Sequence, residues 1–265
     1  MHYLKQLAAD GTTDIHPGGA RASNRLIETL ALSKGLVVLE IGCGPGATLV
    51  RIAAAHDVRL IGIDLLPEML GTALRRIRWS GLHGRVTLLQ GDALRLPLAD
   101  ASCDRIYAES VMGIQDASRL DAMLAEIHRT LKPGGRCLLN EAIWRDTTSD
   151  AEIEAANESC LSAFGLRQAS ESPWRAENWN VAMVRAGFRV LSFERMGESP
   201  VDGQGSLVAL RVRAASRALS LLQRVSNSIR PSARQRTRDY RELLRQHAAL
   251  GRMIESRLFV IERPR

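Results

Sequence analysis

Aromatic residues are scarce in this chain: Phe, Trp and Tyr together make up 4% of its 265 residues. Its four cysteines, Cys43, Cys103, Cys137 and Cys160, show no paired spacing, which indicates neither a disulfide frame nor a zinc site. No apolar stretch approaches the roughly 18 residues of a membrane span. Lys5 is not followed by an apolar run, so the opening residues do not read as a secretory signal. These absences point to a soluble protein of a reducing cytoplasm, long enough for one sizeable core with or without an appendage. Acid is short in one region only. Residues 205–265 hold 14 arginines against 4 acidic residues, whereas residues 1–204 hold 22 Lys plus Arg against 25 Asp plus Glu. The net charge of +7 therefore comes entirely from the later segment.

What is present is organised around residues 36–46, Leu-Val-Val-Leu-Glu-Ile-Gly-Cys-Gly-Pro-Gly. Residues 36–41 form a nearly unbroken apolar run, which reads as a strand buried on both faces of a parallel sheet. Gly42, Gly44 and Gly46 follow at alternate positions, and residues 47–56 read as a helix. Strand, glycine turn and helix in that order gather backbone N–H groups and a helix N-terminus at one point, which suits a ligand carrying negative charge. A dinucleotide fingerprint has its third glycine three residues after the second. Here the third comes two residues after the second.

The run Glu40-Ile41-Gly42-Cys43-Gly44-Pro45-Gly46 resembles the first motif of the class I S-adenosylmethionine-dependent methyltransferases. Residues 58–64 read as a second buried strand ending in Asp64, 22 residues after Gly42. An acid there can accept from both hydroxyls of a ribose, or it can cap the helix that begins near Pro67. Residues 85–90 read as a third strand, followed by Gly91-Asp92-Ala93, Leu96-Pro97 and a Cys103-Asp104 strand start. This succession resembles the third and fourth motifs of the same family. The resemblance implies that Asp92 accepts from the adenine amino group and that the Ala93 N–H meets the ring. It also implies cofactor contacts from Glu40, Gly42, Gly44, Gly46, Leu65 and Glu109. A helix over 118–131 ending in Leu-Lys-Pro-Gly-Gly before a fifth strand (136–143) again resembles the family. Its local physics is that Pro ends the helix and glycine supplies the reversal.

The family pattern implies an α/β, Rossmann-like three-layer sandwich. Its seven-stranded, mostly parallel sheet has an antiparallel last strand, with helical cap insertions. Residues 1–35, with a helix over 20–32, are expected to form a lid. Residues 36–196 form the core, interrupted by a cap at 144–180 that holds Trp144, Trp174, Trp179 and Phe164. These rings either wall an acceptor pocket or hold the cap on the core. Residues 197–255 are expected to be an Arg-rich helical insertion, with helices over 207–225 and 233–254, and 256–265 the last strand. Tyr240 stands alone among those arginines, so no stacking platform for bases accompanies them.

The implied cofactor is S-adenosyl-L-methionine, with S-adenosyl-L-homocysteine as product, and no metal is called for. The implied reaction is in-line displacement of the sulfonium methyl by an O, N, S or C nucleophile of a small-molecule acceptor. Alignment and desolvation carry most of such catalysis, and a base is needed only for a protonated acceptor. His16 is the residue of the lid most capable of proton transfer near neutral pH, its alternative being a turn histidine. Glu109, at the lip of the site, is the second catalytic candidate. The absence of an Asn/Asp-Pro-Pro-aromatic sequence after the fourth strand argues against methylation of adenine N6 or glutamine. Two alternatives stay open: an RNA methyltransferase using the Arg-rich helices, and a non-catalytic cofactor-binding sensor or assembly protein. A homodimer is compatible with the sequence, which does not fix the oligomeric state.

Overall fold

A computed structural model describes residues 18–167, 175–196 and 250–265, together with His16 and the single positions Ala8, Ala214, Ala218, Ser220 and Leu221. The described strands are β1 (Val37–Ile41), β2 (Arg59–Asp64), β3 (Val86–Gln90), β4 (Cys103–Glu109), β5 (Leu131–Trp144), β6 (Arg189–Arg195) and β7 (Ile254–Glu262). The helices, in chain order, are α1 (Gly19–Thr29), α2 (Ala47–Ala55), α3 (Pro67–Trp79), α4 (Ala117–Thr130), α5 (Asp150–Phe164), α6 (Ala176–Arg185) and α7 (Leu250–Met253).

The strands form one seven-stranded sheet in the order β3-β2-β1-β4-β5-β7-β6. The pairings from β3 to β5 are parallel, and β7 runs antiparallel to both β5 and β6. The fold class expected from the sequence is the one observed. The order reverses between β1 and β4, so their C-terminal ends open the crevice where such sheets take ligands. β7 begins at Ile254, two residues before the expected start, because Ile254 and Glu255 already pair with Trp144 and Ile143.

Strand alternation divides the core in two. One face carries Val38, Leu60, Tyr107, Leu138, Leu258 and Val260, packed against Leu26 of α1, Leu49 and Ile52 of α2 and Ile77 of α3. The other carries Leu39, Ile41, Ile106, Leu139 and Phe259, packed against α4 (Leu120, Leu124, Ile127) and α6 (Trp179, Met183). Three layers result. The Pro133-Gly134 turn is fixed by the chain beyond β7: Gly134 N–H donates to Arg263 O at 2.7 Å and Arg263 N–H to Gly135 O at 3.1 Å.

The described aromatic residues of 144–180, Trp144, Phe164 and Trp179, are buried in packing. Trp144 is the last residue of β5, buried with Ile153 of α5. Trp179 is buried in the main core on α6, its ring stacked on Phe259 at 5.5 Å. A large apolar ring gains most where aliphatic side chains already exclude water, and both rings reach such places. Trp174 and the candidate Arg-rich helices lie outside the described residues, apart from the isolated positions and residues 250–254, where α7 ends at Met253 and Ile254 already belongs to β7. No helix among the described residues is long and apolar enough to cross a membrane.

Candidate active site

The glycine turn sits between β1 and α2, and each glycine has its own reason. Gly42, Gly44 and Gly46 all have positive φ, at 65°, 51° and 76°. A Cβ on Gly42 would lie 2.4 Å from Val111 Cγ2, and one on Gly46 would lie 2.9 Å from Ala73 Cβ. These two are required by protein neighbours as well as by conformation. Among the described residues, a Cβ on Gly44 would meet nothing nearer than Gly42 O at 4.0 Å, so on their account its side of the turn is open. The turn is also braced from behind, where the buried Arg76 guanidinium donates to Pro45 O.

Asp64, at the end of β2, is tied to this turn. Its Oδ2 accepts from Gly44 N–H at 2.8 Å and its Oδ1 from Leu66 N–H at 2.9 Å. Burial raises its carboxyl above the usual value, and those N–H groups pull it back. Leu66 is the residue that caps α3, so Asp64 does serve the entry to that helix, while holding the glycine turn as well. Next to it, Leu65 is 50% exposed, an apolar side chain at the lip. The loop after β3 joins here, since Gly91 N–H donates to Asp64 O at 3.1 Å. On that loop Asp92 Oδ1 accepts from Leu94 N–H at 3.0 Å, and Ala93 is partly buried.

A polar row crosses the C-terminal ends of the central strands on the α1–α2 face. Glu40 of β1 is buried and accepts from the Tyr107 hydroxyl at 2.8 Å. Burial, with the charges of Glu109 and Asp64, holds the Glu40 carboxyl well above the usual carboxylate range. Glu109 of β4 is the centre of the row. Its Oε1 accepts from Thr48 Oγ at 2.7 Å, and its Oε2 from Ser23 Oγ at 2.8 Å and Asn140 Nδ2 at 3.3 Å. His16 Nε2 lies 3.2 Å from the same oxygen, with the His16 and Glu109 side chains 8% and 6% exposed.

The structure therefore brings the two catalytic candidates together, along with four residues that sequence reasoning missed: Ser23, Thr48, Asn140 and Ser256. Asn140 Oδ1 accepts from Ser256 Oγ at 2.7 Å, which turns its NH2 toward His16 Nδ1 at 3.2 Å. An NH2 only donates, so in this arrangement Nδ1 is the nitrogen that accepts, and Nε2 faces Ser23 Oγ (3.0 Å) and Glu109. Both ring nitrogens are thus engaged, and Glu109 is the acceptor on which the donors converge. Among the described residues, no group of three or more His, Cys, Asp or Glu side chains could hold a metal ion.

The sheet order defines a Rossmann-like α/β protein with a glycine turn at the end of its first strand. A family profile described as "Methyltransferase domain" matches residues 38–135. The O-methyltransferase rstn1 of Aspergillus nomiae is 30% identical over 177 residues, covering 65% of this chain and 73% of that protein. The methyltransferase GfsG of Streptomyces halstedii is 30% identical over 181 residues, 68% of this chain but only 62% of the relative's length. The chain belongs to the class I S-adenosylmethionine-dependent methyltransferase family. A solved structure of the [4+2]-cyclase SpnF superposes with a TM-score of 0.68 at 22% identity, covering 98% of this chain and 91% of that one. That likeness concerns the fold alone.

Proposed function

We propose that this protein transfers a methyl group from S-adenosyl-L-methionine to a small-molecule acceptor, releasing S-adenosyl-L-homocysteine. The observation that carries the reading is the junction of Asp64 and the glycine turn, at 2.8 Å, on the side of Gly44 that the described residues leave open. When bound, the cofactor would supply a sulfonium methyl group that a nucleophile takes in line, the thioether leaving with the S–CH3 bonding pair. In this reading the N-terminus of α2 receives the carboxylate of the methionine part. Asp64 takes the ribose hydroxyls, and Leu65, Asp92 and Ala93 take the adenine. Glu109 places a carboxyl group beside a cofactor that carries positive charge, which favours it electrostatically, while Glu40, whose carboxyl burial holds well above the usual range, offers a hydrogen-bonding group there.

The catalytic roles of His16 and Glu109 follow from their pairing. Glu109 faces His16 Nε2 and is the group to receive a proton from an acidic acceptor, directly or through Ser23. The lid, cap and insertion divisions at 1–35, 144–180 and 197–255 belong to this reading, as does a cytoplasmic location. The four cysteines, all buried and unbridged, are compatible with that location. Calorimetric titration of S-adenosylhomocysteine and, separately, NAD tests the cofactor: micromolar binding of the former alone is expected. Binding of NAD alone overturns the proposal. Labelled methyl donor screened against acceptor mixtures then tests the transfer, and cofactor binding without turnover on any acceptor would favour a sensor.

A further inference from the structure

Glu141 lies one residue beyond Asn140 on β5 and therefore on the opposite face of the sheet. It is wholly buried, and no step proposed above uses it. Its Oε1 accepts from the backbone N–H groups of Val111 and Met112, each at 3.1 Å, and its Oε2 from Gly113 N–H at 3.0 Å. Three successive amides between β4 and α4 thus converge on one carboxylate. The same segment opens at Ser110, a non-glycine residue with φ 55°, whose N–H donates to Asn140 O at 2.8 Å. Asn140 and Glu141 hold it together.

This segment touches the glycine turn. The 2.4 Å approach that a Gly42 Cβ would make to Val111 Cγ2 means that the Val111 side chain lies directly on Gly42. The surroundings of Glu141 are otherwise apolar: Met112, Leu139 and Ile143 belong to the main core. Burying a carboxylate there is unfavourable unless its lone pairs are met, and an apolar residue would fill the space at lower cost. Glutamine does not substitute for it, because one acceptor oxygen is lost and an NH2 is turned toward N–H donors.

We propose that Glu141 is a positioning residue: its ionised carboxylate fixes the 111–113 loop and, through Val111, the Gly42 end of the turn, in the shape that receives the cofactor. This rests on the cofactor reading above. Burial pushes the Glu141 carboxyl up to about 7 in spite of its three N–H donors, with the charge of Glu109 adding to the rise. The other groups facing it are Cys137 on its own strand and Arg257, opposite it on β7, whose guanidinium is taken by Glu255 at 2.6 Å. The clamp should therefore tighten as pH rises through neutrality.

The test is calorimetric titration of S-adenosylhomocysteine from pH 6 to 8.5 into wild type, Glu141→Gln and Glu141→Asp, with amide exchange of residues 111–113 read in parallel. Wild-type affinity should rise about fivefold to tenfold across this range, the worth of roughly one hydrogen bond. Glu141→Gln should bind weakly at every pH and exchange its 111–113 amides faster. Glu141→Asp should recover the pH dependence in part, and it carries the comparison if the glutamine variant does not fold. The difference between variants removes what Glu109 and His16 contribute. A folded Glu141→Gln with wild-type affinity, the wild-type pH profile and unchanged 111–113 exchange overturns the proposal. Wild type that binds no S-adenosylhomocysteine, with 111–113 exchange still dependent on Glu141, overturns the cofactor reading and with it the purpose assigned to the clamp.

Discussion

Replacing Asp64 by Asn perturbs the centre of the site with almost no change in size. The carboxylate accepts from Gly44 N–H at 2.8 Å and from Leu66 N–H at 2.9 Å, one bond to each oxygen. Asparagine keeps one acceptor and points an NH2 at the other amide, so one of the two bonds becomes a donor-to-donor contact. A bond to a charged group contributes about 1.5–3 kcal/mol, and an unmet buried donor costs about 1–3 kcal/mol. The unliganded protein should lose about 2–3 kcal/mol, which lowers its melting temperature by roughly 5–10 °C. If the carboxylate also receives the ribose hydroxyls, a further loss of about 1.5–3 kcal/mol weakens S-adenosylhomocysteine binding roughly 10- to 100-fold. Thermal melts without ligand read the first effect, and calorimetry well below the melting temperature reads the second. A variant that melts low yet binds with wild-type affinity refutes the ribose role and leaves Asp64 as a brace for the turn. A variant as stable as wild type refutes the hydrogen-bond reasoning itself.

Other outcomes follow from the same geometry. Gly44→Ala should remain folded, at about 1–2 kcal/mol for a left-handed alanine, but lose affinity about tenfold or more because its methyl enters the ligand space. Gly42→Ala should melt lower than Gly44→Ala because it strikes Val111, and equal melting curves would contradict the packing argument. Glu109→Gln leaves the donors of Ser23, Thr48, Asn140 and His16 with a single acceptor oxygen, so urea denaturation should show a loss of about 1–3 kcal/mol. An unchanged midpoint would mean that the row is held by something other than this carboxylate. For Glu141 the linkage is explicit: its carboxyl sits at about 7 in the fold, above the unfolded value of about 4.3, so the folded state holds the proton in between. The stability gained by keeping this carboxyl protonated is fully present below the unfolded value and is lost as pH rises through 7, where the ionised carboxylate that gathers the three amides becomes the folded form. Wild type should thus lose about 2–3 kcal/mol relative to Glu141→Gln between about pH 5 and pH 8. A difference that does not change with pH would show that the carboxylate is not desolvated as placed.

The strands and the glycine turn were legible in the sequence because the doubly buried strands write themselves as apolar runs and the turn needs positive φ. Asp64 was legible by its distance from Gly42, although its second task at the turn was not. The row around Glu109 was hidden for a physical reason. Thr48 is 61 residues from Glu109, and Ser256 is 116 from Asn140, so only the sheet order makes them neighbours. One signal was available: Asn140 and Glu141 form a polar pair inside an apolar strand, where neither belongs without a partner. The aromatic residues of 144–180 were read with two alternatives, and of those described the fold sends Trp144 to the end of β5 and Trp179 to the α6 core, places that spacing along the chain does not separate.

The position of β7 has a consequence for how the molecule is made. It is the last described strand to leave the ribosome, yet it lies between β5 and β6, and it brings Ser256 to Asn140. Until it arrives, β5 presents an open edge, and the Asn140 carboxamide lacks the Ser256 hydroxyl at its Oδ1. Residues 197–249 must also emerge before that edge can close, so the nascent chain carries an unfinished sheet through much of its synthesis. The support that Asn140 gives the His16 imidazole is therefore among the last features to be completed. A stalled or frameshifted product that lacks β7 would lack the Ser256 hydroxyl that holds Asn140 Oδ1.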